Sequence, residues 1–196
     1  MTQPLPVQGS RVCLRDWRQD DLPDYQRWLQ PGHKWHETDG PYYPQWTAEE
    51  IGARIAQLQE GVRTEGWPQP RVRAVISESA DSPMIGTVTR YWENEPCRSA
   101  FLGISLFPDE KRGRGLGTEA LGLWVDYLFS TLNVHRLGLA TWSGNTGMIR
   151  VAGKLGFTEE ARLRQARIVR GELFDGVFFG VLREEWDQLH PRNPAG

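Results

Sequence analysis

The chain has 196 residues, of which 39% are hydrophobic and 24% charged, and its formal net charge is −2. These values are typical of a globular protein and argue against a nucleic-acid-binding protein, because such domains usually carry a strong basic excess. The length favours one domain over residues 1–196. The longest apolar runs fall far short of the ~20 residues that span a bilayer, so we expect no membrane partner.

Cysteine usage and the first residues bear on the compartment. Cys13 and Cys97 form no CxxC motif, and one pair cannot make a dense disulfide framework. The opening "MTQPLPVQGS" lacks the basic-then-apolar pattern of a secretory signal. We therefore expect a cytoplasmic protein.

The first half of the chain predicts one strand, two helices and three further strands. Residues 11–17 alternate as in a strand, and Asp20 or Asp21 begins a helix that reaches Leu29. Residues 30–46 carry prolines and glycines throughout, which indicates a long loop. Thr47 and Glu50 form a capping box for a helix to about Glu60. Three consecutive strands follow at residues 71–77, 84–92 and 99–107.

The second half alternates helices with strands. A glycine-rich stretch, "DEKRGRGLGTEAL", precedes a helix from Gly117 to about Thr131. A strand at residues 135–141, a helix at 145–154 and strands at 157–167 and 176–182 complete the chain. This order predicts an α+β (mixed α/β) domain with a largely antiparallel sheet of about seven strands and about four helices.

The glycine-rich loop between strand and helix has the chemistry of an anion site. Gly113, Gly115 and Gly117 allow φ > 0 and close approach of the backbone to a ligand. The first N–H groups of the helix lack intrahelical partners, and the helix dipole adds partial positive charge. Full positive charge is added by Lys111, Arg112 and Arg114. The loop is therefore suited to a pyrophosphate.

Four other known motifs that contain glycines or a His-Glu pair do not match this sequence when compared residue by residue. A Walker loop needs a lysine directly after its last glycine, and none follows these glycines. The dinucleotide fingerprint needs a glycine where Thr118 stands. The nucleophile elbow fails at Phe107, and the zincin motif, begun by His36 and Glu37, fails at Gly40.

One motif does fit. Arg112 to Gly117 matches [Q/R]-x-x-G-x-[G/A], and Asn145 precedes a helix that ends in Lys154-Leu155-Gly156-Phe157. With these two blocks the chain resembles the GNAT superfamily of acyl-CoA N-acyltransferases. The stretches "RVCLRDWRQDDL", "EEARLR" and "DGVFFGVLREEW" resemble its RimJ/RimL branch of ribosomal-protein N-terminal acetyltransferases. The resemblance covers residues 10–187 and is weakest over residues 30–70, where acceptor specificity usually lies.

The resemblance implies acetyl-CoA as co-substrate, with its pyrophosphate held by backbone amides of the loop. It also implies free backbone donors near the end of the preceding strand, where they stabilise an oxyanion. The residues expected to contact acetyl-CoA are Ser105, Leu106, Phe107, Arg112, Gly113, Arg114, Gly115, Leu116, Gly117, Thr118 and Asn145.

The side chains that handle protons in many relatives are replaced here. Ala152 stands where many members carry a tyrosine, Met148 where the RimJ/RimL branch often has a serine, and Phe101 where many have a glutamate. Two weak catalytic candidates remain, His36 in the long loop and Glu93 after Trp92. The sequence alone therefore names no catalytic residue.

The long loop holds further polar and aromatic side chains. His33, His36 and Glu37 have metal-ligating chemistry, but exposed loop polarity explains them better, and we expect no metal. Four aromatic side chains fit an acceptor pocket or partner surface and core packing equally well: Trp35, Tyr42, Tyr43 and Trp46.

Three functions stay open. The first is direct attack of a primary amine on the thioester of acetyl-CoA, the amine being a protein N-terminus, an antibiotic, a polyamine or an amino acid. A mildly acidic aromatic entry favours a small cationic amine, whereas the branch resemblance favours a protein N-terminus. The second is a non-catalytic acyl-CoA-binding sensor, and the third is an interaction module whose tryptophans form a homodimer face.

Overall fold

The computed structural model describes residues 5–191, and its strands form one sheet. The strands are β1 (Val7–Gln8), β2 (Cys13–Arg15), β3 (Arg73–Ser77), β4 (Met84–Asn94), β5 (Ser99–Leu106), β6 (Arg136–Trp142), β7 (Thr158–Val169) and β8 (Glu172–Leu182). The α-helices are α1 (Asp21–Leu29), α2 (Ala48–Thr64), α3 (Leu116–Thr131), α4 (Thr146–Lys154) and α5 (Arg183–Leu189). Short 3₁₀ helices lie at Lys34–Glu37 and Asp109–Lys111.

The predicted α+β class and largely antiparallel sheet are confirmed, but two elements were missed. The sheet order is β1-β2-β3-β4-β5-β6-β8-β7, and only β5 and β6 are parallel. β1 has two residues, too few to show a period. α5 follows β8 directly; its first turn is acidic and its Trp186 is buried. Both ends of the predicted domain, residues 1–4 and 192–196, lie outside the described residues.

The sheet is covered on both faces. On β3, Ala74 and Ile76 pack into the cluster that contains α3, α4 and α5, whereas Val75 packs with α1 and α2. Successive strand residues point to opposite faces, so this alternation separates the two cores. Trp17 and Trp35 lie in the second core rather than on a surface. Within the part of the chain described, no helix is long and apolar enough to cross a membrane.

The sheet divides between β5 and β6. Their parallel pairing involves only Ser99, Ala100 and Phe101 of β5. Beyond Phe101, β5 stays paired with β4 as far as Leu106, while β6 stays paired with β8 as far as Trp142. The two halves of the sheet therefore separate and leave an opening between them.

A buried ion pair fixes α1 against β2. Arg15 donates from both terminal nitrogens to the two carboxylate oxygens of Asp21, at 2.7 and 2.8 Å, and both side chains are 4% exposed. Asp21 also accepts the backbone N–H of Arg18 at 2.8 Å. The first turn of α1 is thereby held where its apolar face meets the sheet.

Removing the acidic partner should unfold the protein more easily. We expect Asp21→Ala to lower the free energy of unfolding by about 3–5 kcal/mol, because the Arg15 charge stays buried without compensation. The control is Asp81→Ala, since Asp81 is 97% exposed and pairs with Arg18 at 3.3 Å. That change should cost less than about 1 kcal/mol. Urea unfolding of both variants measures the difference, and equal losses would contradict this role of the buried pair.

Candidate active site

Two cavities meet at the opening in the sheet. The inner cavity, about 390 Å³, lies between β5, the glycine-rich loop and α4. The outer cavity, about 670 Å³, lies between the sheet and the loop of residues 30–46. Four residues line both cavities: Trp35, Asp39, Ile104 and Ser105. A ligand that fills one cavity can therefore reach the other.

The glycine-rich loop presents unpaired amides to the inner cavity. Gly113 and Gly115 have φ of 70° and 82°, and Gly115 caps α3 without any side-chain hydrogen bond. The N–H groups of residues 113–118 donate to no acceptor among residues 5–191. Such a row of free donors at a helix start is a site for an anion.

Cationic side chains surround these amides. Arg112, Arg150 and Lys154 all line the inner cavity. Asp39 is the one carboxylate among the described residues that line it, and it stands at the junction with the outer cavity. The charge distribution fits a ligand with a polyanionic end at the loop.

The backbone of β5 supplies donors on the open side of the sheet. The Phe107 amide donates to the Ile85 carbonyl at 3.0 Å, so it faces β4. Backbone groups alternate along a strand, and therefore the Ile104 and Leu106 amides face the opening. The Phe107 amide, by contrast, is occupied, and its side chain lines only the outer cavity.

One loop residue, Thr38, ties the two cavities together. Its carbonyl accepts the indole N–H of Trp142 at 3.2 Å and the Asn145 amide at 3.0 Å. Its hydroxyl accepts a hydrogen bond from Nη2 of Arg112 at 2.6 Å. The predicted coenzyme contacts Arg112 and Asn145 thus also hold the loop residue that precedes Asp39.

Asp39 is the functional candidate that sequence reasoning missed. Its carboxylate accepts a long hydrogen bond of 3.4 Å from Ser105. Asp39 is exposed to the solvent of the cavities, but the protein atoms around its carboxylate partly desolvate it and so raise its pKa; Ser105, His36 and Arg112 oppose the rise. A carboxylate with a raised pKa in a cleft is a candidate acid or base. In the sequence Asp39 is indicated only as part of a turn, "TDGP".

The outer cavity has an aromatic wall. Trp35, Tyr42, Tyr43 and Trp46 all line it. The β7–β8 hairpin closes one side, where the Arg167 guanidinium lies 4.9 Å from the centroid of the Tyr42 ring. On the same side Arg170 forms an ion pair with Glu37 at 3.6 Å.

The two weak catalytic candidates occupy different places. His36 lines the outer cavity, and its Nε2 bonds the carbonyls of Trp28 and Gln30 at 3.2 and 3.1 Å. Glu93 accepts the Ser99 hydroxyl and lies 3.8 Å from Arg136, at the closed end of β5 and β6. Glu93 lines neither cavity, so the structure does not bring it together with the other candidate residues.

The other predicted residues divide in the same way. Those that line the inner cavity are Ser105, Leu106, Arg112, Gly113, Gly115, Gly117, Thr118 and Asn145. Arg114 is exposed outside that lining, and Leu116 is buried in the core, so only its backbone amide is available to a ligand. Of the replaced proton handlers, Met148 lines the inner cavity, whereas Ala152 and Phe101 are buried. Within residues 5–191 no three His, Cys, Asp or Glu side chains are grouped to hold a metal ion.

A sheet that opens beside a glycine-rich anion loop is the arrangement that the resemblance to acyl-CoA N-acyltransferases implied. The family model for the acetyltransferase (GNAT) domain matches residues 11–158. The chain therefore belongs to the GNAT acetyltransferase family, and the predicted family and enzyme class are confirmed.

Its relatives are N-acetyltransferases. The probable N-acetyltransferase YjcK of Bacillus subtilis is 29% identical over 73% of this chain and 77% of that protein. The putative ribosomal N-acetyltransferase YdaF of the same organism is 27% identical over 55% of this chain. In four of the first five curated relatives, YdaF among them, the match spans less than two thirds of the relative's length: 45%, 58%, 42% and 63%.

A solved structure confirms the fold. The spermidine N-acetyltransferase of Vibrio cholerae, in complex with CoA and spermine, superposes with a TM-score of 0.72. The comparison covers 91% of this chain and 99% of that one, at 19% identity. At this identity the likeness shows the fold alone.

The glycine-rich loop should lose its ligand when Gly115 gains a side chain. A Cβ there would lie 3.0 Å from Nη2 of Arg11, at a φ that disfavours other residues by about 1–2 kcal/mol. We expect Gly115→Ala to weaken CoA binding about tenfold, measured by calorimetry.

The matched control is Gly153→Ala on α4, where an added Cβ meets nothing within 4 Å and φ is not positive. This variant should bind CoA like the unaltered protein. Unchanged affinity in Gly115→Ala would show that CoA does not use this loop.

Proposed function

We propose that the protein transfers an acetyl group from acetyl-CoA to a primary amine by direct attack on the thioester. The observation that carries the proposal is the junction at Asp39. There the cavity with the row of free amides meets a second cavity beside a carboxylate. The family's use of acetyl-CoA supports the choice of co-substrate.

The chain's own groups fit coenzyme A. The amides of residues 113–118 would receive the pyrophosphate, with Arg112, Arg150 and Lys154 adding charge. The rest of the inner cavity is walled by apolar side chains such as Leu106, Met148 and Val151. The thioester would then lie at the opening between β5 and β6.

The reaction balances without a metal or a covalent enzyme intermediate. The amine nitrogen attacks the thioester carbonyl carbon and forms the C–N bond, and the carbonyl oxygen becomes an oxyanion. Collapse of this intermediate breaks the C–S bond and releases the thiolate, while the attacking nitrogen gives its remaining extra proton to water. The products are the acetylated amine and the free thiol, which gains a proton from water.

The backbone of β5 would stabilise the oxyanion. The amides of Ile104 and Leu106 face the opening, and Ile104 lines both cavities. Fixed backbone donors aimed at a developing negative charge are a large part of catalysis in acyl transfer. Because they are backbone groups, no particular side chain was needed in the sequence.

Asp39 would bind the ammonium form of the acceptor and take its proton. It lines both cavities, whereas His36 lines only the outer one and its Nε2 is occupied by two carbonyls. The raised pKa of Asp39 makes it a stronger base than an ordinary aspartate. It would replace the glutamate that many relatives carry where Phe101 stands here.

We place the reaction in the cytoplasm, because Cys13 and Cys97 are both free thiols and Cys97 is exposed.

The alternative function is a non-catalytic acyl-CoA sensor, motivated by the replaced proton handlers. Thiol release from acetyl-CoA with a panel of amines separates the two. Tight CoA binding without turnover on any amine would favour the sensor.

Replacing the carboxylate tests the mechanism. We expect Asp39→Asn to lower kcat/KM about 10²- to 10⁴-fold, the range for loss of a general base. The base must be ionised, and desolvation raises the Asp39 pKa, so the activity should fall on acidification at a higher pH than an ordinary aspartate would give. This acidic limb should disappear in Asp39→Asn. The pH dependence of kcat/KM measures both effects.

The control is Glu37→Gln. Glu37 also lines the outer cavity but is paired with Arg170. It should change kcat/KM by a few-fold at most. An acidic limb that persists in Asp39→Asn would exclude Asp39 as the base.

A further inference from the structure

An arginine without a partner lies in the floor of the outer cavity. Arg73, on β3, lines this cavity, and its Nη1 is buried without a hydrogen bond. Among residues 5–191 no carboxylate forms an ion pair with it and no acceptor bonds its side chain. Burial lowers the pKa of Arg73; Tyr25 opposes this shift, and the nearby Arg54 charge adds to it.

Arg73 is half-buried as a residue, and a charge partly removed from water without a partner is costly, because arginine stays protonated in proteins. Arg15 on the neighbouring strand shows the ordinary solution, a bidentate carboxylate from Asp21. The Arg73 guanidinium has the same geometry available, and it lines a cavity large enough for a ligand. We therefore expect the group that pairs with Arg73 to belong to the ligand of this cavity.

The surrounding hydroxyls point to the same kind of ligand. Thr89 is the direct cross-strand neighbour of Arg73, and Thr87 lies one pair further along the same face. Both line the outer cavity, and neither hydroxyl bonds a side chain or carbonyl within the described chain. On the other side of Thr89 stands Gly103, whose missing side chain leaves the floor open. A guanidinium beside free hydroxyls offers several donors to a carboxylate.

The cavity also has an opposite pole. Asp39 lines it, and Tyr25 lies close enough to both Arg73 and Asp39 for each charge to shift its pKa, although desolvation is the main cause of the rise. Arg73 and Asp39 do not form an ion pair with each other. Glu37 is already paired with Arg170, so the cavity has no acidic excess. The mildly acidic entry that would favour a small cationic amine is therefore not formed by the residues that line this cavity.

We propose that the acceptor is an amine that also carries a carboxylate, with Arg73 and Thr89 binding the carboxylate while the amine lies at Asp39. This inference rests on the proposed acetyl transfer and narrows its acceptor. A polyamine offers no group for Arg73 and brings further positive charge toward it. An amino acid, or a peptide whose carboxylate is near its amino group, satisfies both poles.

Matched acceptors test the proposal. Phenylalanine, phenylalaninamide and 2-phenylethylamine share an amine and a ring that suits the aromatic wall, and only the first has a carboxylate. β-Alanine and 4-aminobutyrate, each against its amide, repeat the comparison at other spacings. Two readouts are taken: kcat/KM for thiol release, and calorimetric binding to the CoA-saturated protein.

We expect at least one acid to exceed its amide about tenfold to a hundredfold in both readouts, as for a hydrogen-bonded charge pair. Arg73→Met should remove this preference and affect the amides a few-fold at most, whereas Arg73→Lys should keep part of it. Thr89→Val should also reduce the preference for the acids. This variant tests the proposal if Arg73→Met does not fold.

The outcomes separate the two proposals. Acids that never exceed their amides, or an Arg73→Met variant that lowers acids and amides equally, would overturn the carboxylate site while leaving acetyl transfer intact. Carboxylate-dependent binding without thiol release from any amine would support the site and refute the transferase mechanism. Turnover of spermidine above all the acids would also overturn the proposed acceptor.

Discussion

The site depends on the point at which β5 stops pairing with β6. Three residue pairs join the strands, and the last is Phe101 with Gly138. Beyond it β5 follows β4 and β6 follows β8, so the sheet continues as two halves. The strand amides at Ile104 and Leu106 then have no strand to pair with. Unpaired backbone donors are costly in a folded protein unless water or a ligand satisfies them. The opening thus creates both the space for a substrate and the donors that would hold it.

The loop of residues 30–46 completes the site because it is bound to both sides of this opening. Thr38 accepts hydrogen bonds from Arg112 of the glycine-rich loop, Trp142 at the end of β6 and Asn145 at the start of α4. Three elements distant in the chain therefore fix the position of one residue. Its neighbour Asp39 gains a defined place without regular secondary structure around it. The inner and outer cavities consequently share the same supports.

Much of the fold could be predicted because its signals are local. The Thr47–Glu50 capping box predicted α2, and the structure has both of its hydrogen bonds. The strand-like residue pattern predicted β3, β4 and β5, because the two-residue period of a strand is visible within a short stretch of sequence. The positive φ of Gly113 and Gly115 agrees with the conformational freedom for which glycine was singled out. β1 was missed because two residues carry no period, and its pairing with β2 is a property of the folded sheet.

The candidate site was predictable only where its chemistry lies in the backbone. A glycine-rich loop can be recognised in the sequence as a source of free backbone amides, because glycine is required for that conformation. Asp39 is one acidic residue among many, and only the meeting of two cavities distinguishes it. Glu93 looked equivalent to it in the sequence, yet it lies at the closed end of the sheet.

Arg73 makes the same point about charge. Arg15 and Arg73 stand on adjacent strands, and the sequence gives no reason to treat them differently. Arg15 is met by Asp21 and by the carbonyl of Ser82, so its charge is paired within the chain, although its Nε is buried without a hydrogen bond. Arg73 has no such partner within residues 5–191. A buried charge that the fold itself compensates contributes to structure, whereas one that the fold leaves uncompensated lowers stability and raises affinity for whatever compensates it. The net charge of the chain does not reveal this difference, and for that reason the acceptor has to be inferred from the cavity rather than from the composition.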